Sequence, residues 1–95
     1  MTTQVSATLV ATGATGAIFM QTGVVEVGGT FVGTINIQVD ATGDGTYNNC
    51  LDSSGSAIAI TAPGVYRINN GVGCYTRLNC SAYTSGSILV EMKGT

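Results

Sequence analysis

The sequence predicts an all-β fold, namely an antiparallel β-sandwich of the jelly-roll or immunoglobulin-like type with about seven to nine short strands. Three observations lead to this prediction. Charged residues make up only 8% of the chain, and its 14 glycines stand among many threonines, which suit a pleated strand better than a helix. Turn-forming residues recur roughly every 8–12 positions, and apolar and polar residues alternate between them. At 95 residues the chain is long enough for one core, so residues 1–95 are expected to form a single domain.

The first half of the chain contains three or four predicted strands. The opening strand places four apolar residues on one face: Val5, Ala7, Leu9 and Ala11. Residues 17–28 fit either one bent strand or two short ones. The clearest strand is 31–40, whose expected buried face carries Phe31, Gly33, Ile35, Ile37 and Val39. Its expected wet face carries Val32, Thr34, Asn36, Gln38 and Asp40.

The second half continues the same pattern. Residues 46–51 are expected to return from a turn at 43–45, and two short strands are marked by Ile58 with Ile60 and by Tyr66 with Ile68. Segment 74–83 has an inward set of Cys74, Thr76, Leu78, Cys80 and Ala82. Its outward set is Tyr75, Arg77, Asn79, Ser81 and Tyr83. In 86–93 the inward residues are Ile88, Val90 and Met92, and the outward ones are Leu89, Glu91 and Lys93.

The charge and hydropathy patterns argue against two classes of partner. The net charge is −2, and the only basic residues are Arg67, Arg77 and Lys93, whereas phosphate contacts need several clustered cations. No run approaches the roughly 20 apolar residues of a membrane helix. We therefore expect neither nucleic acid nor membrane as a partner. The segment at 1–4 lacks the features of a signal peptide, so synthesis and retention in the cytoplasm are expected.

Catalysis is not expected from these residues. The chain has no histidine, which excludes Ser-His-Asp and Cys-His nucleophilic machinery. The acidic residues stand mostly in or beside predicted turns, where aspartate serves local hydrogen bonding: Glu26, Asp40, Asp44, Asp52 and Glu91. The sequence therefore predicts a protein that is not an enzyme and needs no cofactor.

Cys50, Cys74 and Cys80 are predicted to be free, small apolar residues in a reducing compartment. Cys74 and Cys80 on one extended strand lie about 20 Å apart, beyond disulfide reach, while Cys50 is able to meet either across strands. A structural zinc site would need a fourth cysteine or a histidine.

Residues 40–52 partly match a calcium-binding loop. Asp40, Thr42, Asp44, Gly45 and Asn48 occupy its positions 1, 3, 5, 6 and 9. Leu51 stands where the loop requires a bidentate glutamate, and the flanks are predicted strands rather than helices. The pattern favours a hairpin turn at Asp44-Gly45, with calcium binding as the alternative.

Tyr75, Arg77 and Tyr83 form the outward row most typical of a binding interface. Tyrosine and arginine are enriched at interaction hot spots. The same row is also compatible with ordinary cross-strand neighbours on a solvated sheet, and exposed aromatic rings are able to stack on sugars.

Three stretches together resemble a group of small β-rich virion proteins of tailed bacteriophages, in which they recur in the same order. They are Gly29–Thr34 (GTFVGT), the segment 54–57 running on to Thr61–Tyr66 (TAPGVY), and Tyr75–Ser87 (YTRLNCSAYTSGS). The resemblance covers roughly residues 29–90. The chain departs from the group in the 40–50 hairpin and by having Thr76 between Tyr75 and Arg77.

The resemblance implies a capsid decoration, or cement, protein. Such a protein is made in the host cytoplasm and binds the outside of the assembled head. Its partners would be the major capsid protein and copies of itself, as a dimer or trimer. The alternative is a tail-associated module that binds a receptor or carbohydrate.

Overall fold

A computed structural model describes residues 3–51 and 54–95 of the chain. In these ranges the chain forms eight strands: β1 Thr3–Leu9, β2 Gly13–Ala14, β3 Ile18–Gly28, β4 Phe31–Asp40, β5 Asn48–Asn49, β6 Ala59–Ile60, β7 Gly64–Gly86 and β8 Ile88–Gly94. An irregularity at residues 70–73 divides β7 into two segments, which makes nine antiparallel segments. The predicted all-β, antiparallel fold is confirmed. The described ranges contain no helix of the length and apolar character needed to cross a membrane.

The described strands belong to one open sheet that curls into a half-barrel, rather than to the two separate sheets of the predicted sandwich. Its order is β1-β8-β3-β7-β4-β5, with β2 paired to β7 and β6 paired to β4. Register shows how strongly the sheet curls. Val27 pairs with Gly64 at one end of β7 and Phe31 pairs with Gly86 at the other end, although only three residues separate Val27 from Phe31. The two ends of β7 must therefore approach each other.

β7 is the reason for the single sheet. The segments around Tyr66 and Ile68 and at 74–83, predicted as separate strands, are continuous in β7. This strand pairs with β3 on both sides of the irregularity and with β4 along residues 75–86. Strands that a sandwich would divide between two layers are thus joined in one hydrogen-bonded ladder. Asn70 secures the irregularity, because its side-chain amide donates to the Met20 carbonyl (3.2 Å) and to the Thr76 hydroxyl (3.0 Å).

The core fills the concave side of the curled sheet. Its buried members come from both halves of the chain: Met20, Val25, Val27, Ile35, Ile37, Ile60, Ile68, Leu78, Cys80, Ile88, Val90 and Met92. The predicted inward and outward faces of 86–93 are confirmed, and the apolar residues of β1 pack against the edge of the core. Residues 17–28 contain one strand, β3, whose register shifts between Met20 and Thr22.

Two residues predicted on the wet face of strand 31–40 are buried instead. Asn36 is 7% exposed and Asp40 is 5% exposed. The Asn36 side chain donates a hydrogen bond to the Ile58 carbonyl (3.0 Å), just before β6, the short strand that pairs beside β4. Simple alternation failed here because it assigns one face to solvent without information on which distant segments of the chain contact that face.

Two tight connections lie against each other where the ends of β7 approach. The segment between β3 and β4 contains Gly29 at φ +90°, and the junction between β7 and β8 contains Gly86 at φ +91°. The Ser87 amide donates to the Thr30 carbonyl (3.0 Å) and ties the two connections together. Both glycines adopt a backbone conformation that other residues rarely occupy.

Candidate interaction surface

Tyr75 and Phe19 form an exposed aromatic pair on the outer side of the sheet. The two residues are register partners on β7 and β3, and their rings meet edge to face with centroids 5.4 Å apart. Tyr75 is 49% exposed and Phe19 is 50% exposed, so each ring keeps about half of its surface in solvent. Large aromatic surfaces held in place by a neighbour lose little freedom on binding, which favours a contact role.

Arg77 is held in a fixed orientation beside this pair. Its Nε donates to Gln38 Oε1 (2.9 Å), and its guanidinium lies 4.2 Å from the centroid of the Tyr47 ring. Gln38 Nε2 donates in turn to Asn49 Oδ1 (3.0 Å), so a side-chain network crosses β7, β4 and β5. The terminal guanidinium N–H groups make no hydrogen bond to any described residue and remain for a partner. We refer to Phe19, Gln38, Tyr47, Tyr75 and Arg77 as the aromatic–arginine face.

Tyr83 does not belong to this face, which corrects the predicted row of Tyr75, Arg77 and Tyr83. Its ring packs against the core, and its hydroxyl donates to the Gly86 carbonyl (2.7 Å). The β4–β7 register shifts twice in this region, leaving Ser81 and Thr84 without a directly paired residue on β4. An extra residue in a strand reverses the alternation that follows it, so Tyr83 turns inward.

Phe19 and Tyr47 were missed as surface residues. Phe19 stands in an apolar stretch of β3 where alternation was unclear, and Tyr47 follows the hairpin at 41–45. Strand period alone could have placed Phe19 outward, between Ile18 and Met20 facing the core. Tyr47 reaches Arg77 because of the way the hairpin folds back, and no sequence pattern indicates this contact.

Asp40 closes the 41–45 hairpin. Its Oδ1 accepts hydrogen bonds from the Gly43 and Asp44 amides (2.9 and 3.2 Å), and its Oδ2 accepts one from the Gly45 amide (3.0 Å). Burial by itself would raise the pKa of this carboxyl, but the three backbone donors outweigh it and hold the pKa below its ordinary value of 3.8. The hairpin prediction for this segment agrees with the pairing of β4 with β5.

The same geometry argues against the calcium alternative. The two oxygens of Asp40 accept three backbone N–H bonds, which use three of the roughly four acceptor positions of a carboxylate. Apart from Asp52, which lies outside the described residues, the acids and cysteines form no group of three or more able to hold a metal ion. The structure therefore uses Asp40 as a turn-forming acceptor.

Asp40→Asn is expected to lower the melting temperature at neutral pH and to reduce the loss of stability in acid. Because folding lowers the pKa of Asp40, its stabilising contribution is complete above about pH 3.8 and is lost as the pH falls through the folded-state value. Thermal unfolding followed by circular dichroism over an acid pH series measures both effects. Asp44→Asn is the matched control, since Asp44 accepts one backbone hydrogen bond, from Thr46. Equal acid sensitivity of the wild type and Asp40→Asn would contradict this role.

All three cysteines are free, as predicted. Cys80 is buried in the core and its thiol donates to the Ala82 carbonyl (3.3 Å), whereas Cys50 and Cys74 are half-buried. Burial raises the pKa of both Cys74 and Cys80, which favours the unreactive thiol form.

The chemistry available on this surface is that of recognition. The aromatic–arginine face offers three aromatic rings, a fixed cation with unused donors and the amide of Gln38, which is hydrogen-bonded to the neighbouring amide of Asn49. Comparison with known proteins adds no family assignment: no family model, no curated protein and no solved structure matches this chain.

Proposed function

We propose that this protein is a non-enzymatic structural component of a virus particle, a decoration protein that binds the outside of the assembled bacteriophage head. The aromatic–arginine face is the observation that supports this function best. It joins half-exposed aromatic rings to an arginine whose orientation is already fixed, and these residue types dominate binding energy at protein interfaces. The major capsid protein is the proposed partner.

The mechanism we propose is stabilisation by mass action. A protein that binds the assembled lattice but not its dissociated subunits shifts the equilibrium towards the lattice. Many copies on one particle multiply this effect, and no cofactor is required. Self-association into a dimer or trimer would further increase the apparent affinity, because linked copies bind the lattice together.

The resemblance to phage virion proteins supports the proposal through the fold. Residues of the GTFVGT stretch pair directly with residues of the YTSG stretch, since Phe31 pairs with Gly86 and Val32 with Ser85. The recurring stretches therefore specify how strands and connections pack. Tyr75 and Arg77 come from the third stretch, but the other members of the aromatic–arginine face lie outside the stretches that carry the resemblance.

Tyr75→Ala and Arg77→Ala are each expected to weaken binding to purified heads lacking this protein by at least ~10-fold. Each change removes a contact group while leaving the core intact. Co-sedimentation of the purified variants with such heads over a concentration series measures the affinity. Val32→Ala is the control, because Val32 is 58% exposed and lies away from the face. Unchanged binding by both variants would exclude this face as the head-binding surface.

The alternative is a tail-associated module that binds a receptor or carbohydrate. The observation that favours it is the combination of exposed rings with the amides of Gln38 and Asn49, which suits stacking and hydrogen bonding to a sugar. Quantitative mass spectrometry of particles from the source separates the candidates by copy number. Copies comparable to the major capsid protein support decoration, a few per particle support the tail, and none removes the virion proposal.

A further inference from the structure

A second part of the outer surface carries four of the chain's charged side chains in two rows. It spans three adjacent strands, β8, β3 and the first segment of β7, and we refer to it as the charged face: Val24, Glu26, Val65, Arg67, Glu91 and Lys93. All six residues are exposed. The irregularities in β3 and β7 separate it along the strands from the aromatic–arginine face.

The rows follow directly from strand register. Lys93 pairs with Val24, and Val24 pairs with Arg67, which gives one row two cations. Glu91 pairs with Glu26, and Glu26 pairs with Val65, which gives the neighbouring row two anions. The face is therefore balanced in charge, but its two signs are segregated into parallel rows.

Within one copy this arrangement contains one unfavourable direct contact. Glu26 and Glu91 are direct cross-strand neighbours of like charge, a pairing that destabilises a sheet. None of the four charged groups forms an ion pair with a described residue. A recess on this face is lined by Glu26, Val65, Leu89 and Glu91, so apolar surface lies beside the two carboxylates.

We propose that the charged face binds a second copy of this chain, with a twofold axis running across the strands between the two rows. This axis places the cationic row of each copy over the anionic row of the other, so that Lys93 meets Glu91 of the second copy. The same axis places Val24 over Glu26 and Val65 over Arg67 of the second copy, so each valine contacts the aliphatic part of a charged side chain. An axis along β3 would instead place Lys93 over Arg67, so the charge pattern selects one arrangement.

This inference rests on the proposed self-association but not on binding to the head. The two proposals use different faces and fail in different experiments. Loss of head binding in Tyr75→Ala leaves the dimer unaffected, and loss of the dimer leaves the aromatic–arginine face intact.

Charge reversal at two exposed positions tests the arrangement. Lys93→Glu places a carboxylate over Glu91 of the second copy, and Glu91→Lys places an ammonium group over Lys93 of the second copy. Each variant alone is expected to associate at least ~10-fold more weakly than the wild type in sedimentation equilibrium at low salt. An equimolar mixture of the two variants restores opposite charges at both contacts and is expected to form a heterodimer. The double variant Glu91→Lys/Lys93→Glu restores the homodimer for the same reason.

Asp44→Lys is the matched control, since it changes net charge as Glu91→Lys does but lies in the exposed hairpin at 41–45. It should associate like the wild type, and wild-type association should weaken as salt is added. The proposal is overturned if the wild type stays monomeric over the concentration series at low salt. It is equally overturned if the single reversals associate as the wild type does, or if their mixture stays monomeric.

Discussion

Gly86→Ala is expected to destabilise the protein by about 3 kcal/mol or more. Gly86 has φ +91°, which strains any side chain, and an added Cβ would collide with the Thr30 carbonyl oxygen and lie 2.7 Å from the Phe31 Cα. Both obstacles are backbone atoms and cannot rotate away. The loss is a large part of the stability of a domain of this size, so urea unfolding at equilibrium should show a much lower midpoint or no folded baseline.

Gly43→Ala separates the two causes. Gly43 also has a positive φ, +77°, but nothing lies within 4 Å of an added Cβ. It should therefore cost about 1 kcal/mol, the conformational part alone. If Gly86→Ala were no more destabilising than Gly43→Ala, the close packing of the two connections would be refuted.

Leu78→Ala is expected to destabilise the protein by about 3 kcal/mol. Leu78 is completely buried in the concave core, on the β7 segment that pairs with β4. Truncation to alanine loses the free energy gained by moving the leucine side chain from water into the core. It also leaves a cavity, because the backbones around the side chain are fixed by hydrogen bonds on both sides. Chemical unfolding measures the change.

Leu89→Ala makes the same chemical change on the outer side of β8. Leu89 is 49% exposed, so its truncation should cost less than about 1 kcal/mol. Similar costs for the two variants would mean that the concave side of the sheet is not the core.

The alternation of apolar and polar residues predicted strands correctly where one face of the strand contacts the core and the other contacts solvent. Ile88, Val90 and Met92 point inward as expected, because β8 lies between two strands with the core on one side and solvent on the other. Alternation failed at Asn36, whose side chain bonds to the Ile58 carbonyl, and at Tyr83, whose direction is reversed by the shift in register between β4 and β7. Both failures come from contacts between residues distant in the chain.

The sheet arrangement was the least predictable feature. The segment around Tyr66 and Ile68 and segment 74–83 were predicted as two strands, whereas in the fold residues 70–73 interrupt β7 without reversing it. The side chain of Asn70 satisfies polar groups on β3 and β7, a contact that no local pattern reveals. A continuous β7 then joins the layers into one sheet.

The surface was predicted in part. Tyr75 and Arg77 share the outer side as expected, because they stand two residues apart on a regular stretch of β7. Their neighbours Phe19 and Tyr47 arrive from elsewhere in the chain through sheet register and the hairpin. No sequence pattern indicates that Phe19 and Tyr47 lie close to Tyr75 and Arg77.

The position of β8 between β1 and β3 determines when the β1 edge of the sheet is able to form. Residues 3–9 have residues 88–94 as their strand partner, a segment synthesised much later, whereas residues 23–27 also pair with residues 64–68. Bringing together residues that are far apart in the chain loses conformational entropy before any apolar surface is buried. Folding is therefore expected to be slow compared with proteins rich in local contacts. We therefore expect the β1 edge of the sheet to assemble only after β8 leaves the exit tunnel, and residues 3–9 to lack their strand partner until then.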